Sequence, residues 1–305
     1  MIGSGVHADN TRPALRGAAS SLTKLMSEYE LQHYLPKVYL KQFSATRKAD
    51  IWRFDEHEYV TKPVSLQCAA DNFYSSTNRK GAEEMFHQLE DAYGRVIQKI
   101  KPGKILTQKN YFGLILFMLQ LHCRNIVYDN RTAKERAHAC NVCEELLLKL
   151  MGDTNEPLSY ETFLNRWQVC LLQTKDDHEL ITSDNPVTVF SSDETGQPHL
   201  VTMPVTPFCC AVAFDIRIFR VTSCYLDVRD EAILNYYQVK QCHECLFTLT
   251  ELSLEHQRNF RQQMKEIKKP CGYVSETGWE NEWKPNIIRL PNRIALSFLD
   301  KARAD

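Results

Sequence analysis

Very little in this chain pulls it towards a charged surface or a lipid one. Its 37 Lys and Arg residues nearly balance 38 Asp and Glu, leaving a formal charge of -1 over 305 residues. That balance offers no overall attraction to nucleic acid or to an anionic membrane. The longest apolar run, Tyr111 to Leu121, is too short to span a bilayer and reads as a helix buried on most sides. Residues 1–28 lack the apolar stretch of a secretory signal. There is no Gly-rich phosphate loop, no Gly-x-Ser-x-Gly elbow and no His-Glu-x-x-His helix. No internal repeat, low-complexity tract or Pro/Gly/Ser linker divides the chain. These absences point to a cytoplasmic protein with no membrane attachment, and the 11 cysteines then read as small apolar residues of a reduced core.

Residues 1–27, rich in Ala, Ser, Gly and Arg, lack periodicity and read as a flexible leader, with Met26 as an alternative start. Residues 28–305 read as one domain. Pro36 suits the first turn of a helix, and Leu35, Tyr39 and Phe43 follow at four-residue spacing. Two strand-like runs, Ile51 to Phe54 and Glu58 to Thr61, flank Asp55-Glu56-His57 as a hairpin. Helical signals dominate from Gly81 to about Thr174. Phe86, Leu89, Tyr93, Val96 and Ile100 form one stripe. Thr107 caps a second helix, a third covers Thr132 to Met151, and a fourth Ser159 to Gln173. Short strands are then expected at Glu179–Thr182, Val187–Phe190, His199–Met203 and Phe208–Phe214. Helices follow near Asp230–Cys245 and Ser253–Lys268, with a weak helical signal after Pro291. The expected fold is α+β: a mostly helical body carrying a small mixed or antiparallel sheet.

A set of short motifs carries a family resemblance. The opening His33-Tyr34-Leu35-Pro36 block with Tyr39-Leu40 and Phe43, Phe73-Tyr74, Glu84 with Leu89-Glu90, and Gln120 with Arg124 come in order. Ser183-Asp184-Asn185-Pro186-Val187, Met203-Pro204-Val205-Thr206-Pro207 and Asn235 follow. In order and spacing they resemble the family called domain of unknown function 4238, over roughly residues 31–248. Val205-Thr206 stands where that family usually has Leu-Ser. The resemblance implies kinship without an established activity, cofactor or substrate.

The polar residues within these motifs are the candidate site. Glu90 flanks an apolar stripe, where a carboxylate needs a partner, and Arg124 closes the most apolar helix. The pair reads either as a structural ion pair or as a site where Arg124 holds an anion. His33, just outside a helix, reads as a general base or metal ligand, or as a histidine bonding backbone at the helix entrance. Asp184 and Asn185 read as a plain turn, or as strand-end groups facing a cleft. Joined together, the set describes a phosphodiester hydrolase of nuclease type. Glu90 and Asp184 hold a divalent metal, His33 activates water, Arg124 stabilises phosphate charge and Asn185 supports, with nucleic acid or a nucleotide as partner. The alternative is a non-catalytic binding or interaction protein whose polar cluster is structural and whose aromatic loops meet a partner. A third reading sets Cys140, Cys143, Cys242 and Cys245 around a structural zinc, although both Cys-x-x-Cys pairs fall on expected helices. Arg217, Arg220, Arg258, Arg261, Lys265, Lys268 and Lys269 make the C-terminal half locally basic, which suits a solvated face.

Overall fold

The computed structural model describes residues 31–45, 50–71, 79–100, 106–126, 160–175, 178–192, 197–266, 287–290 and 296–302. The expected helix over 132–151, the Phe73-Tyr74 motif and the leader lie outside these residues.

The opening block behaves as its sequence suggests. Strand β1 (Leu31–His33) ends at His33, and helix α1 (Lys37–Leu40) follows Pro36. Pro36 has an extended backbone, and its carbonyl accepts from the N–H groups of Tyr39 and Leu40, so it caps the helix rather than joining its first turn. Leu35, Tyr39 and Phe43 are all fully buried. The hairpin forms as β2 (Asp50–Phe54) and β3 (Tyr59–Pro63). Asp55 closes it by accepting the backbone N–H groups of His57 and Glu58 at 2.8 Å each. After β4 (Ala69–Asp71), which pairs with β1, come α2 (Arg79–Ile97) and α3 (Gln108–Ile126). Thr107 accepts the Asn110 N–H at 3.3 Å, the capping bond its position suggested.

Beyond α3 the expectation of a mostly helical body fails, because the chain is sheet-rich. The expected helix Ser159–Gln173 is a short helix, α4 (Tyr160–Leu164), followed by a strand, β5 (Trp167–Gln173). The spacing of Leu164, Trp167 and Leu171 mimics a helical face. The same seven-residue run, however, pairs along its whole length with β9 (Cys209–Asp215). β5 and β9 belong to a five-stranded sheet with β7 (Thr188–Ser191), β8 (Leu200–Thr206) and β12 (Ile287–Arg289), ordered β12-β7-β8-β9-β5. Its pairings are antiparallel except β12 with β7. A four-stranded antiparallel sheet, β3-β2-β11-β6, adds β6 (Thr182–Ser183) and β11 (Leu246–Thr248). Strands β10 (Phe219–Val221) and β13 (Leu299–Lys301) form a ribbon, so the weak helical signal after Pro291 ends in a strand. Helix α5 (Val228–Gln241) opens on a capping box between Asp227 and Asp230, and α6 (Leu254–Glu266) follows β11.

The five-stranded sheet is covered on both faces, with its edge strands β5 and β12 only partly buried. Val187, Val189, Val201, Met203 and Ala211 pack with Tyr39, Tyr93 and Phe117 from α1, α2 and α3. Phe190, Leu200, Val212 and Phe214 pack with Leu234 and Tyr237 of α5. Every residue of β9 is buried, Asp215 included. That acid is held by Arg166 at 2.9 Å and by both Nε and Nη2 of Arg217, which keeps its carboxyl below the usual range despite burial.

Tyr39 carries the joint between the opening block and this sheet. Its ring lies 6.3 Å from Tyr93, which stacks on Phe117 at 3.8 Å. Its hydroxyl donates to the Pro204 carbonyl at 2.7 Å and shares a 2.6 Å hydrogen bond with Thr182. The β7–β8 ladder ends at Thr202, and a bulge follows at Pro204–Thr206, so Pro204 costs no ladder bond there. Tyr39→Phe strips two buried oxygens of their partner. The expected result is a loss of about 1–3 kcal/mol in urea denaturation, with the folded secondary structure unchanged by circular dichroism.

Candidate functional site

The Ser183-Asp184-Asn185-Pro186 segment leads from β6 into β7, and so from one sheet into the other. It lies against α5 and the turn after it. Asp184 is 1% exposed. Its Oδ1 accepts the His243 N–H at 2.8 Å, and its Oδ2 accepts those of Glu244 at 2.7 Å and Cys245 at 3.3 Å. The Asp184 N–H in turn donates to the Cys245 carbonyl at 3.1 Å. Successive backbone N–H groups just past a helix thus form a small anion-holding nest whose anion is the protein's own carboxylate. Burial raises the Asp184 pKa, while His243 and the backbone donors pull it back.

Helix α5 presents a stripe of amides at three-residue spacing to the same segment. Asn235 accepts the Ile181 N–H at 2.9 Å and donates to the Glu179 carbonyl at 3.2 Å, standing in for a neighbouring strand. Gln238 accepts from the Ser183 hydroxyl at 3.1 Å and donates to the Pro186 carbonyl at 2.9 Å. The Gln241 carbonyl accepts from Asn185 Nδ2 at 3.2 Å. Asn185 therefore serves the same joint as Asp184. The Gln241 amide itself is buried with neither polar atom hydrogen-bonded to a described residue.

The other candidates sit apart from this joint in role. His33 Nε2 lies 3.0 Å from the Ser65 carbonyl. A carbonyl only accepts, so Nε2 carries the proton, and base chemistry would fall to Nδ1. Glu90 is half-buried on α2, one turn before the stacked Tyr93. Arg124 lies on α3, and its side chain, hence the expected Glu90–Arg124 pair, is outside the described residues. Among the described residues no three His, Cys, Asp or Glu side chains gather as a metal-holding group, so His33, Glu90 and Asp184 form no such set. Nor is any described helix long and apolar enough to cross a membrane.

The second Cys-x-x-Cys pair lies beyond α5, which ends at Gln241, and not on the helix that its sequence suggested. Cys242 donates its S–H to the Val239 carbonyl at 3.1 Å. Cys245 is buried immediately before β11. Cys140 and Cys143 lie outside the described residues. Cys209 and Cys210 are buried in β9, as expected of core thiols.

A family model described as "Protein of unknown function (DUF4238)" matches residues 31–251. The chain belongs to the DUF4238 family. The match begins at β1 and ends just past β11, so it takes in Tyr39, Asp184, Pro204, Asn235 and the nest that holds Asp184. No curated protein and no solved structure matches the chain.

One buried group had no sequence signal at all. His122, on α3, is fully buried, and neither ring nitrogen makes a well-formed hydrogen bond to a described residue. Burial pushes its pKa down to about 4, with the adjoining Val187 backbone opposing weakly. The unfolded chain takes up this proton near pH 6.5, well above the folded one. The neutral ring therefore adds nothing at neutral pH, and its reluctance to ionise subtracts stability as pH falls from about 6.5 to about 4. The expected loss at the acid end is on the order of 3 kcal/mol. It appears as the difference in denaturation free energy between wild type and His122→Leu, measured at pH 7.5 and at pH 4. Equal pH dependence in the two proteins would refute it.

Proposed function

We propose that this DUF4238 protein is a non-catalytic binding or interaction protein, and that its Ser-Asp-Asn-Pro segment is framework rather than reaction centre. The observation that carries the reading is the burial of Asp184 with both of its oxygens engaged. Both carboxylate oxygens already accept backbone N–H groups, three in all, in a position 1% exposed. A divalent ion placed there would have to displace donors that have no other described partner, at a cost of about 1–3 kcal/mol for each one stranded. Asn185 is likewise spent on the Gln241 carbonyl.

Contact area is available elsewhere. The backbone of Gln173–Thr174 is gripped on one side by the Phe208 carbonyl and on the other by the Cys224 carbonyl. That puts the exposed rings of Phe208 and Tyr225 at the same end of the five-stranded sheet, with exposed Val228 opening α5 close by in sequence. A near-neutral chain with apolar side chains at one sheet end suits a protein partner better than a phosphate backbone. Free cysteines at Cys68, Cys170, Cys209, Cys210, Cys224, Cys242 and Cys245 suit a reducing, cytoplasmic setting.

The deciding comparison is Asp184→Asn against wild type, followed both by chemical denaturation and by cleavage of single-stranded DNA and RNA with magnesium or manganese. An amide offers one acceptor oxygen where the nest needs two, and its NH2 faces backbone donors. The expected outcome is a stability loss of about 1–3 kcal/mol and no metal-dependent cleavage by either protein. Cleavage by wild type that disappears in a folded Asp184→Asn protein would restore the phosphodiester-hydrolase reading.

A further inference from the structure

Helix α6 buries one face and sorts its charges on another. Ser253 starts the helix by accepting the His256 N–H at 3.3 Å. Phe260 and Met264 then turn inward onto Phe54, Val239 and Leu246. Beside that buried face, Leu254, Arg258, Arg261 and Lys265 recur at i, i+4, i+7 and i+11, within about 60° of one another around the axis. Leu254 is 69% exposed. Arg258 and Lys265 are exposed, and Arg261 is half-buried. Among the described residues none of these three cations has an ion-pair partner. Glu255 of the same helix stands about a quarter-turn off the stripe. Arg261 is held in place all the same. Its guanidinium lies 5.2 Å from the centroid of the Phe54 ring, and Phe54 meets Tyr59 at 5.8 Å. A guanidinium stacked in this way keeps its in-plane N–H donors for a carboxylate.

We propose that this stripe docks an acidic segment of a partner protein, with an apolar side chain of the partner on Leu254 and its carboxylates on Arg258, Arg261 and Lys265. The proposal rests on the binding reading above and names a partner class for it. Three aligned cations without counter-ions of their own make a local positive field, and a partner of opposite charge is complementary to it. From Leu254 to Lys265 the stripe runs about 16 Å. About five residues of extended chain cover that distance, so a short linear segment is enough. The exposed Leu254 in line with the cations selects protein over nucleic acid. A phosphate backbone sets nothing apolar against it, and a chain of formal charge -1 adds no wider attraction to one. The stripe is also distinct from the Phe208 and Tyr225 end of the five-stranded sheet. Helix α6 packs instead on Phe54 and Leu246 of the four-stranded sheet.

The test follows the fluorescence anisotropy of a labelled octapeptide, Leu-Phe-Gly-Glu-Gly-Glu-Gly-Glu, titrated with the full chain at low and at moderate salt. A second copy carries a benzophenone side chain in place of Phe and maps the contact by photo-crosslinking. The expected result is saturable binding that weakens with salt and crosslinks at the Leu254 end of α6. Joint Arg258→Glu and Lys265→Glu substitution raises Kd at least about tenfold, and Leu254→Ser raises it severalfold. Both reversed positions are exposed, and the crosslink on wild-type protein locates the contact even if that variant fails to fold. The proposal is overturned if the peptide does not bind, if charge reversal leaves its Kd unchanged, or if crosslinks fall on the Phe208 and Tyr225 end. It is overturned equally if a uridine oligomer of the same charge binds the stripe more tightly than the peptide. Each of these outcomes leaves the binding reading standing, because that reading falls only to metal-dependent cleavage lost in Asp184→Asn.

Discussion

The arrangement of this protein depends on one buried carboxylate being given backbone donors. The two main sheets are joined through four residues, Asp184 to Val187, and a link so short has no slack. Its middle must be polar to turn, yet it passes between α5 and the cores on either side. Asp184 resolves the conflict by accepting the N–H groups of residues 243–245, the donors exposed when the chain leaves α5 and turns into β11. The same contact fixes where β11 begins, and β11 is the strand that pairs with both β6 and β2. Loss of the carboxylate would therefore be felt in the register of a whole sheet and not just at one turn.

Around that contact the separate motifs become parts of one joint. Tyr39 from the opening block bonds Thr182, two residues before Asp184, and the carbonyl of Pro204 from the Met-Pro-Val-Thr-Pro segment. Asn235 from the late helix bonds the chain at 179 and 181, on the approach to the same turn. Residues that are distant in sequence meet because each satisfies a backbone group the others leave open. A short proline- and turn-rich passage through a core has more unmatched backbone groups than a strand or helix, and side-chain amides and hydroxyls are the means of matching them.

Some of this was legible from residue order. The Asp55 hairpin, the Thr107 cap, the Pro36 entry and the burial of Leu35, Tyr39 and Phe43 all rest on local chemistry, and local chemistry is written in consecutive residues. The body of the fold was not. β9 is buried along its whole length, so its apolar residues run on without alternating, and the partly buried β5 (Trp167–Gln173) even carries helical spacing. The strand identity comes from a partner some forty residues away. The candidate site shows the same division. Ser-Asp-Asn-Pro was recognisable as a turn, and Asn235, Gln238 and Gln241 do stand at three-residue spacing. That this stripe faces residues 179–186 is decided only by long-range packing.

The same geometry separates two ways a protein uses a buried acid. A catalytic carboxylate keeps part of its hydrogen-bonding capacity open, because a substrate, water or metal must take it up during turnover. Asp184, 1% exposed, commits both oxygens to three backbone N–H groups, and its own N–H closes back on Cys245. Burial holds its pKa above the ordinary carboxylate value, with His243 and the backbone donors opposing the rise. A group in that position acts on its surroundings by fixing them. What it fixes is the turn from α5 into β11, and with it the start of the strand that pairs with both β2 and β6.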